Sequence, residues 1–231
     1  MIMKNVKLAL WLFLFNLMVT PAMAQYWADT EHYSADNIKI GLALPNETRI
    51  VFMGNSITAG WSKICPGFFQ GKPYINRGIS GQTTPQMLVR FRVDVLNLKP
   101  SIVIILAGTN DIAENTGRST PEMILNNIIS MAELAKANGI KVILCSVLPA
   151  LDYYWRPGLK PAEKIVSLNS LIQKYAAENE LIFIDYFSSM ADDQKGLKNE
   201  LTSDGIHPNE TGYKIMAPLT EVAIQKALNF K

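Results

Sequence analysis

Arg49-Ile50-Val51-Phe52-Met53-Gly54-Asn55-Ser56-Ile57-Thr58 is the stretch on which the fold turns. Its first half is a short apolar run with β-branched residues, suited to a strand buried on both faces of a parallel sheet. Its second half breaks at Gly54 and sets a serine at a turn into a helix. The hydroxyl of such a serine is exposed, and the helix N-terminus favours developing negative charge. A serine there also serves commonly as a plain helix cap, so the rest of the chain has to decide between the two.

Working outward, similar apolar runs recur at Ser101 to Leu106, Lys141 to Val147 and Leu181 to Ile184, with a shorter one at Tyr74 to Asn76. Between them, Pro121 to Ala137 carries Ile124, Ile128, Met131 and Leu134 at helical spacing and stops at Asn138-Gly139. Pro161 to Glu178 repeats the pattern from a proline suited to a first turn. A last helix is expected from about Asn209 to Leu228, kinked at Pro218. Strands alternating with helices predict an α/β fold with a five-stranded parallel sheet.

The polar motifs fall at one end of these strands. Ser56 follows the first, Asn76 through Gly81 (NRGISG) the second, and Gly108-Thr109-Asn110-Asp111 the third. Asp204-Gly205-Ile206-His207-Pro208-Asn209 comes after the fifth. In an open parallel sheet the carboxyl ends of the strands share one edge, and ligands bind in the crevice there. The chain has two histidines, and His32 lies away from every strand end. His207 is therefore the expected base for Ser56, and Asp204 the group that fixes its tautomer and stabilises its charged form. A tetrahedral oxyanion needs aimed donors. The backbone N–H of Ser56, the backbone N–H of Gly81 and Nδ2 of Asn110 are the expected set.

The segments GNSIT, NRGISGQTT, AGTND and DGIHPN resemble, in order, the four sequence blocks of the SGNH hydrolases, also called the GDSL esterase/lipase superfamily. The resemblance runs from about residue 49 to 215. It implies a flavodoxin-like three-layer α/β/α sandwich, Ser56 as nucleophile, His207 as base and Asp204 as its orienter. The Ser56 amide, Gly81 and Asn110 become oxyanion donors, with no metal or organic cofactor. One departure stands out: the name-giving Gly-Asp-Ser reads Gly54-Asn55-Ser56 here. The amide retains an acceptor but loses the carboxylate, so Asn55 is expected to tune activity without abolishing it.

Composition narrows the remaining classes. The 231 residues are 48% hydrophobic and 18% charged, an ordinary globular profile. Residues 1–24 read as a signal peptide: Lys4 and Lys7, an apolar run from Leu8 to Val19, and Ala22-Met23-Ala24 before the cleavage point. Thr20-Pro21 interrupts that run too early for a stable membrane span, so export to the periplasm or the medium is expected. Residues 25–231 then form the hydrolase domain, with 25–48 as an N-terminal extension packed on it. Loss of Lys4 and Lys7 leaves 20 basic residues against 20 acidic ones, with no basic stretch for nucleic acid. Cys65 and Cys145 are two separated cysteines, expected as free, buried thiols. There is no GK[ST] phosphate loop, no GxGxxG, no GxSxG elbow and no HExxH.

For substrate, Tyr153, Tyr154 and Trp155 after the fourth strand form a candidate wall for a sugar ring or acyl chain, and packing of the loop on the body is an equal alternative. Trp61 and Phe68-Phe69 are similarly open. The expected activity is an exported esterase that removes small acyl groups, acetyl first, from carbohydrate or a similar small ester. Lysophospholipid or thioester cleavage is the alternative within the same chemistry. A non-catalytic carbohydrate-binding protein on a decayed hydrolase scaffold is the alternative outside it.

Overall fold

The computed structural model describes residues 27–44 and 47–229. The leader expected at 1–24 lies outside the described residues. Five strands, β1 (Ile50–Gly54), β2 (Tyr74–Gly78), β3 (Ile102–Leu106), β4 (Lys141–Cys145) and β5 (Ile182–Ile184), form one sheet in the order β2-β1-β3-β4-β5. Every pairing is parallel.

The continuous apolar runs have a direct cause. On β1, Val51 and Met53 enter one core with Val103, Ile105, Val142 and Leu144, while Ile50 and Phe52 enter a second with Ile102, Ile104 and Ile143. Both faces are covered, so alternation with polar residues is lost. Helices Thr84–Asp94, Pro121–Ala137 and Ala162–Glu178 contribute to the first core, and helices Ser56–Ile64 and Glu210–Asn229 to the second. The result is the expected three-layer α/β/α sandwich.

Several boundaries differ from the sequence reading for identifiable reasons. β4 ends at Cys145, because the Val147 amide and carbonyl are both taken by the side chain of Asn169 at 2.7 and 2.9 Å. β2 runs on to Gly78. A Cβ at Gly78 would lie 2.2 Å from the Ala59 nitrogen, so only glycine lets the helix after β1 come this close. The final helix continues through Pro218 to Asn229. Helix Thr84–Asp94 has a weak sequence signal, because Arg90 and Asp94 interrupt its apolar stripe and are themselves buried.

Segment 27–44 contains a helix, Ser34–Ile40. Its Asn37 bonds to the Val93 carbonyl and to Asp94 on helix Thr84–Asp94. The same segment reaches the free edge of β2. The Gly78 carbonyl accepts from the Tyr33 hydroxyl, the Asn76 carbonyl from Arg77 Nη1, and Asn76 Oδ1 accepts from the Gly78 N–H. Both cysteines are free; Cys145 is buried as expected, whereas Cys65 is only half-buried.

Candidate active site

Ser56 is the first residue of helix Ser56–Ile64, directly beyond β1. Asn55 caps that helix, its Oδ1 accepting from the Ile57 N–H at 3.0 Å. An amide oxygen meets this need as a carboxylate would, which gives the asparagine in the family's aspartate position a definite local task. As the first helical residue, Ser56 has an N–H with no intrahelical acceptor.

The Ser56 hydroxyl lies 2.9 Å from His207 Nε2 across 151 positions of sequence. The other ring nitrogen, Nδ1, is 2.7 Å from Asp204 Oδ2. With Nδ1–H donating to the Asp204 carboxylate, Nε2 is the acceptor facing the serine. Asp204 is fixed in turn. Its Oδ1 accepts from the backbone N–H groups of Ile206 and His207 at 2.9 and 2.8 Å. Burial alone would raise its pKa, but these bonds and that to the imidazole outweigh it and hold the carboxyl below the usual range. Thr202 ties the loop shut: its hydroxyl donates to the His207 carbonyl at 2.8 Å and accepts from the Gly205 N–H at 3.1 Å.

The other two motif residues lie on the segments that follow β2 and β3. Gly81 has φ of +78°, a left-handed turn conformation. Its carbonyl accepts from Asn115 Nδ2 at 3.1 Å. Asn110 is buried, with Nδ2 donating one proton to the Gln82 carbonyl at 3.0 Å. Its second amide proton remains for another acceptor. Asp111 accepts from the Thr84 hydroxyl at 2.6 Å and from the Thr84 N–H, joining the third motif to the segment after Gly81. Burial pushes the Asp111 carboxyl up to about 6, against the lowering effect of the Thr84 bonds.

The three aromatic residues expected as a wall differ in setting. Tyr153 is wholly buried, its hydroxyl 3.0 Å from Thr109 Oγ1, where it supports the third motif. Trp155 is half-buried and donates to Asn115 Oδ1 at 2.9 Å, two hydrogen bonds from Gly81. Tyr154 is exposed at 67%. With Leu151 it borders a cavity of about 300 Å³ whose lining includes Asp204 and Gly205. Trp61 is buried and stacks between Phe68 and Tyr213, and Phe68 and Phe69 are half-buried against the same core.

Sequence reasoning missed Gln82, Asn115 and Thr202, which hold the motif residues from outside the motifs' centres. Gln82 carried the only available signal, as the immediate neighbour of Gly81. Among the described residues no group of three His, Cys, Asp or Glu side chains could hold a metal ion.

Comparison with known proteins bears on the family of the chain. The model of the GDSL-like lipase/acylhydrolase family matches residues 52–215. The crystal structure of a GDSL-like lipase from Bacteroides thetaiotaomicron VPI-5482 is 50% identical and superposes with a TM-score of 0.85, covering 87% of this chain and 98% of that one. The acetylxylan esterase of Xylanibacter ruminicola is 27% identical over 213 residues, 77% of this chain and 43% of that protein. Esterase TesA of Pseudomonas aeruginosa is 27% identical over 171 residues, 69% of this chain and 79% of that protein. Against the first two curated relatives it matches, the chain spans only 33% and 43% of their length.

Proposed function

This chain belongs to the GDSL-like lipase/acylhydrolase family, and on that footing we propose that it is an exported serine esterase removing small acyl groups, acetyl foremost, from carbohydrates or similar small alcohols. The observation that carries this reading is the 2.9 Å contact between the Ser56 hydroxyl and His207 Nε2, with Asp204 behind the ring at 2.7 Å.

In the proposed reaction Ser56 Oγ attacks the ester carbonyl while its proton passes to His207 Nε2. Asp204 stabilises the imidazolium so formed. The oxyanion is met by the N–H of Ser56, the N–H of Gly81 and the free amide proton of Asn110. Collapse of the tetrahedral intermediate expels the alcohol, which takes the proton from His207 and leaves an acyl-Ser56 ester. Water, deprotonated by His207, attacks that ester in the same hole; the acyl–Oγ bond breaks, His207 returns the proton to Ser56 Oγ, and the acid is released. Every proton in this cycle is carried by His207, so no redox step or further group enters the balance.

The acetyl preference is supported by the acetylxylan esterase relative, and export by the leader-like residues 1–24. A chromogenic acetate ester assayed with native protein and Ser56→Ala tests class and nucleophile together: turnover is expected in the first and loss of it in the second. A chain-length series then tests the acyl preference, and a maximum at long chains would overturn it in favour of lysophospholipase or thioesterase activity.

A further inference from the structure

Beneath the proposed site lies a charged side chain that touches no solvent and no reacting atom. Arg90 and Asp94 are both wholly buried and pair at 2.9 Å. Burying an ion pair costs several kcal/mol per charge before the attraction is counted, and apolar residues of similar size commonly do as well for stability. Met87 and Phe91 on the same helix are such residues. Stability alone is therefore a poor reason for an arginine here, and its other bonds point to a different one.

Arg90 Nη2 donates to the Gly54 carbonyl at 3.0 Å, two residues before Ser56. Arg90 Nε donates to Gln82 Oε1 at 2.5 Å, one residue after Gly81. The Gln82 backbone carbonyl is in turn the acceptor for Asn110 Nδ2 at 3.0 Å. One planar guanidinium thus bridges the turn bearing the nucleophile and the segment bearing one oxyanion donor, and that segment orients the other. The assembly is anchored outside by the N-terminal segment. Gln82 Nε2 donates to the Ala28 carbonyl at 2.8 Å, and Asn37 Nδ2 donates to Asp94 Oδ1 at 3.0 Å.

We propose that Arg90 is a positioning residue whose rigid fork sets the spacing between the Ser56 oxygen and the oxyanion donors at Gly81 and Asn110. The proposal rests on the reading of Ser56 as nucleophile given above. A lysine keeps the charge beside Asp94 but has one nitrogen, which cannot span the carbonyl, the amide and the carboxylate with the fixed geometry of a guanidinium.

The test uses two variants of the full chain, each checked for fold by circular dichroism and thermal melting. Arg90→Lys preserves the charge balance, and the double variant Arg90→Met/Asp94→Leu removes both charges together, leaving no orphaned carboxylate. In the folded variants, kcat on an acetate ester is expected to fall about tenfold to a hundredfold, the scale of a misplacement near 1 Å. KM should change by less than about twofold, because an interaction that shapes only the transition state leaves ground-state binding alone. Labelling of Ser56 by a phosphonate, whose tetrahedral adduct needs the same donors, should slow by a similar factor. A folded variant with native kcat and native labelling overturns the proposal, as does a loss confined to KM. If neither variant folds, Arg90 serves the fold itself and the proposal falls. Ser56→Ala run alongside separates the two failures: an active Ser56→Ala sinks the reading of the site, whereas an inactive one beside a fully active Arg90→Lys sinks only the positioning role.

Discussion

Replacing Asn110 by alanine should separate catalysis from folding within one residue. Its Nδ2 has two protons, of which the Gln82 carbonyl takes one at 3.0 Å and the proposed oxyanion the other. Loss of an oxyanion donor typically lowers kcat by about 10² to 10³, or roughly 3–4 kcal/mol of transition-state stabilisation. Loss of the other bond leaves a buried carbonyl unsatisfied, at about 1–3 kcal/mol of stability. For a domain of this size each kcal/mol lowers Tm by roughly 2–4 °C, so a drop of about 2–12 °C should accompany the kinetic defect. The assay is steady-state hydrolysis of a chromogenic acetate well below the variant's melting point, with KM taken from the same curves. Fully folded Asn110→Ala with kcat within about threefold of native would refute the reasoning, because no donor of the assigned kind is removed so cheaply. A lowered Tm with native kcat would reassign Asn110 to structure alone.

Asp111 should make stability depend on pH in the direction opposite to most carboxylates. Its folded value, raised to about 6 from the ordinary 3.8, means that the folded state binds the proton more tightly; its contribution is full below pH 3.8 and is lost as pH rises through about 6. The loss approaches about 3 kcal/mol at 1.36 kcal/mol per pKa unit. Urea unfolding between pH 4 and 7.5 should show this slope in the native protein and lack it in Asp111→Asn, and equal slopes would contradict it. Thr202→Val keeps the side-chain volume but removes the bonds to the His207 carbonyl and the Gly205 amide. A fall in stability of about 1–3 kcal/mol, with reduced kcat, is expected from melting and kinetics, and an unchanged Tm would show that the loop closes without it. Tyr154→Ala should raise KM several-fold for an acetylated sugar while leaving hydrolysis of a small aryl acetate intact. Equal effects on both substrates would remove Tyr154 from the sugar-binding surface.

The sheet was legible in the sequence because both of its faces are buried, which leaves runs such as Ile50–Met53 uninterrupted by polar residues. The site was legible because parallel strands deliver their following loops to one edge, so Ser56 and His207 could be paired without knowledge of any distance. What escaped detection depends on tertiary contacts. Helix Thr84–Asp94 was obscured by Arg90 and Asp94, whose burial is tolerated only because each finds the other and a set of carbonyl and amide partners. The end of β4 is decided by Asn169, more than twenty residues further on. Tyr153 and Tyr154 are adjacent and chemically alike, yet one is sealed against Thr109 and the other faces solvent, a difference set by how the loop packs.

The bonds along the outer side of β2 bear on how this protein behaves in a crowd. A border strand with unpaired carbonyls and amides is a template on which another chain can add a strand, the first step towards ordered aggregates. Here side chains of Tyr33, Arg77 and Asn76 occupy the Gly78 carbonyl, the Asn76 carbonyl and the Gly78 N–H, which interrupts the row of hydrogen-bonding positions a neighbouring molecule could copy. Most of this edge is closed by the strand's own side chains and one position by Tyr33, so a chain shortened past Tyr33 would free the Gly78 carbonyl while keeping Ser56, Asp204 and His207 intact.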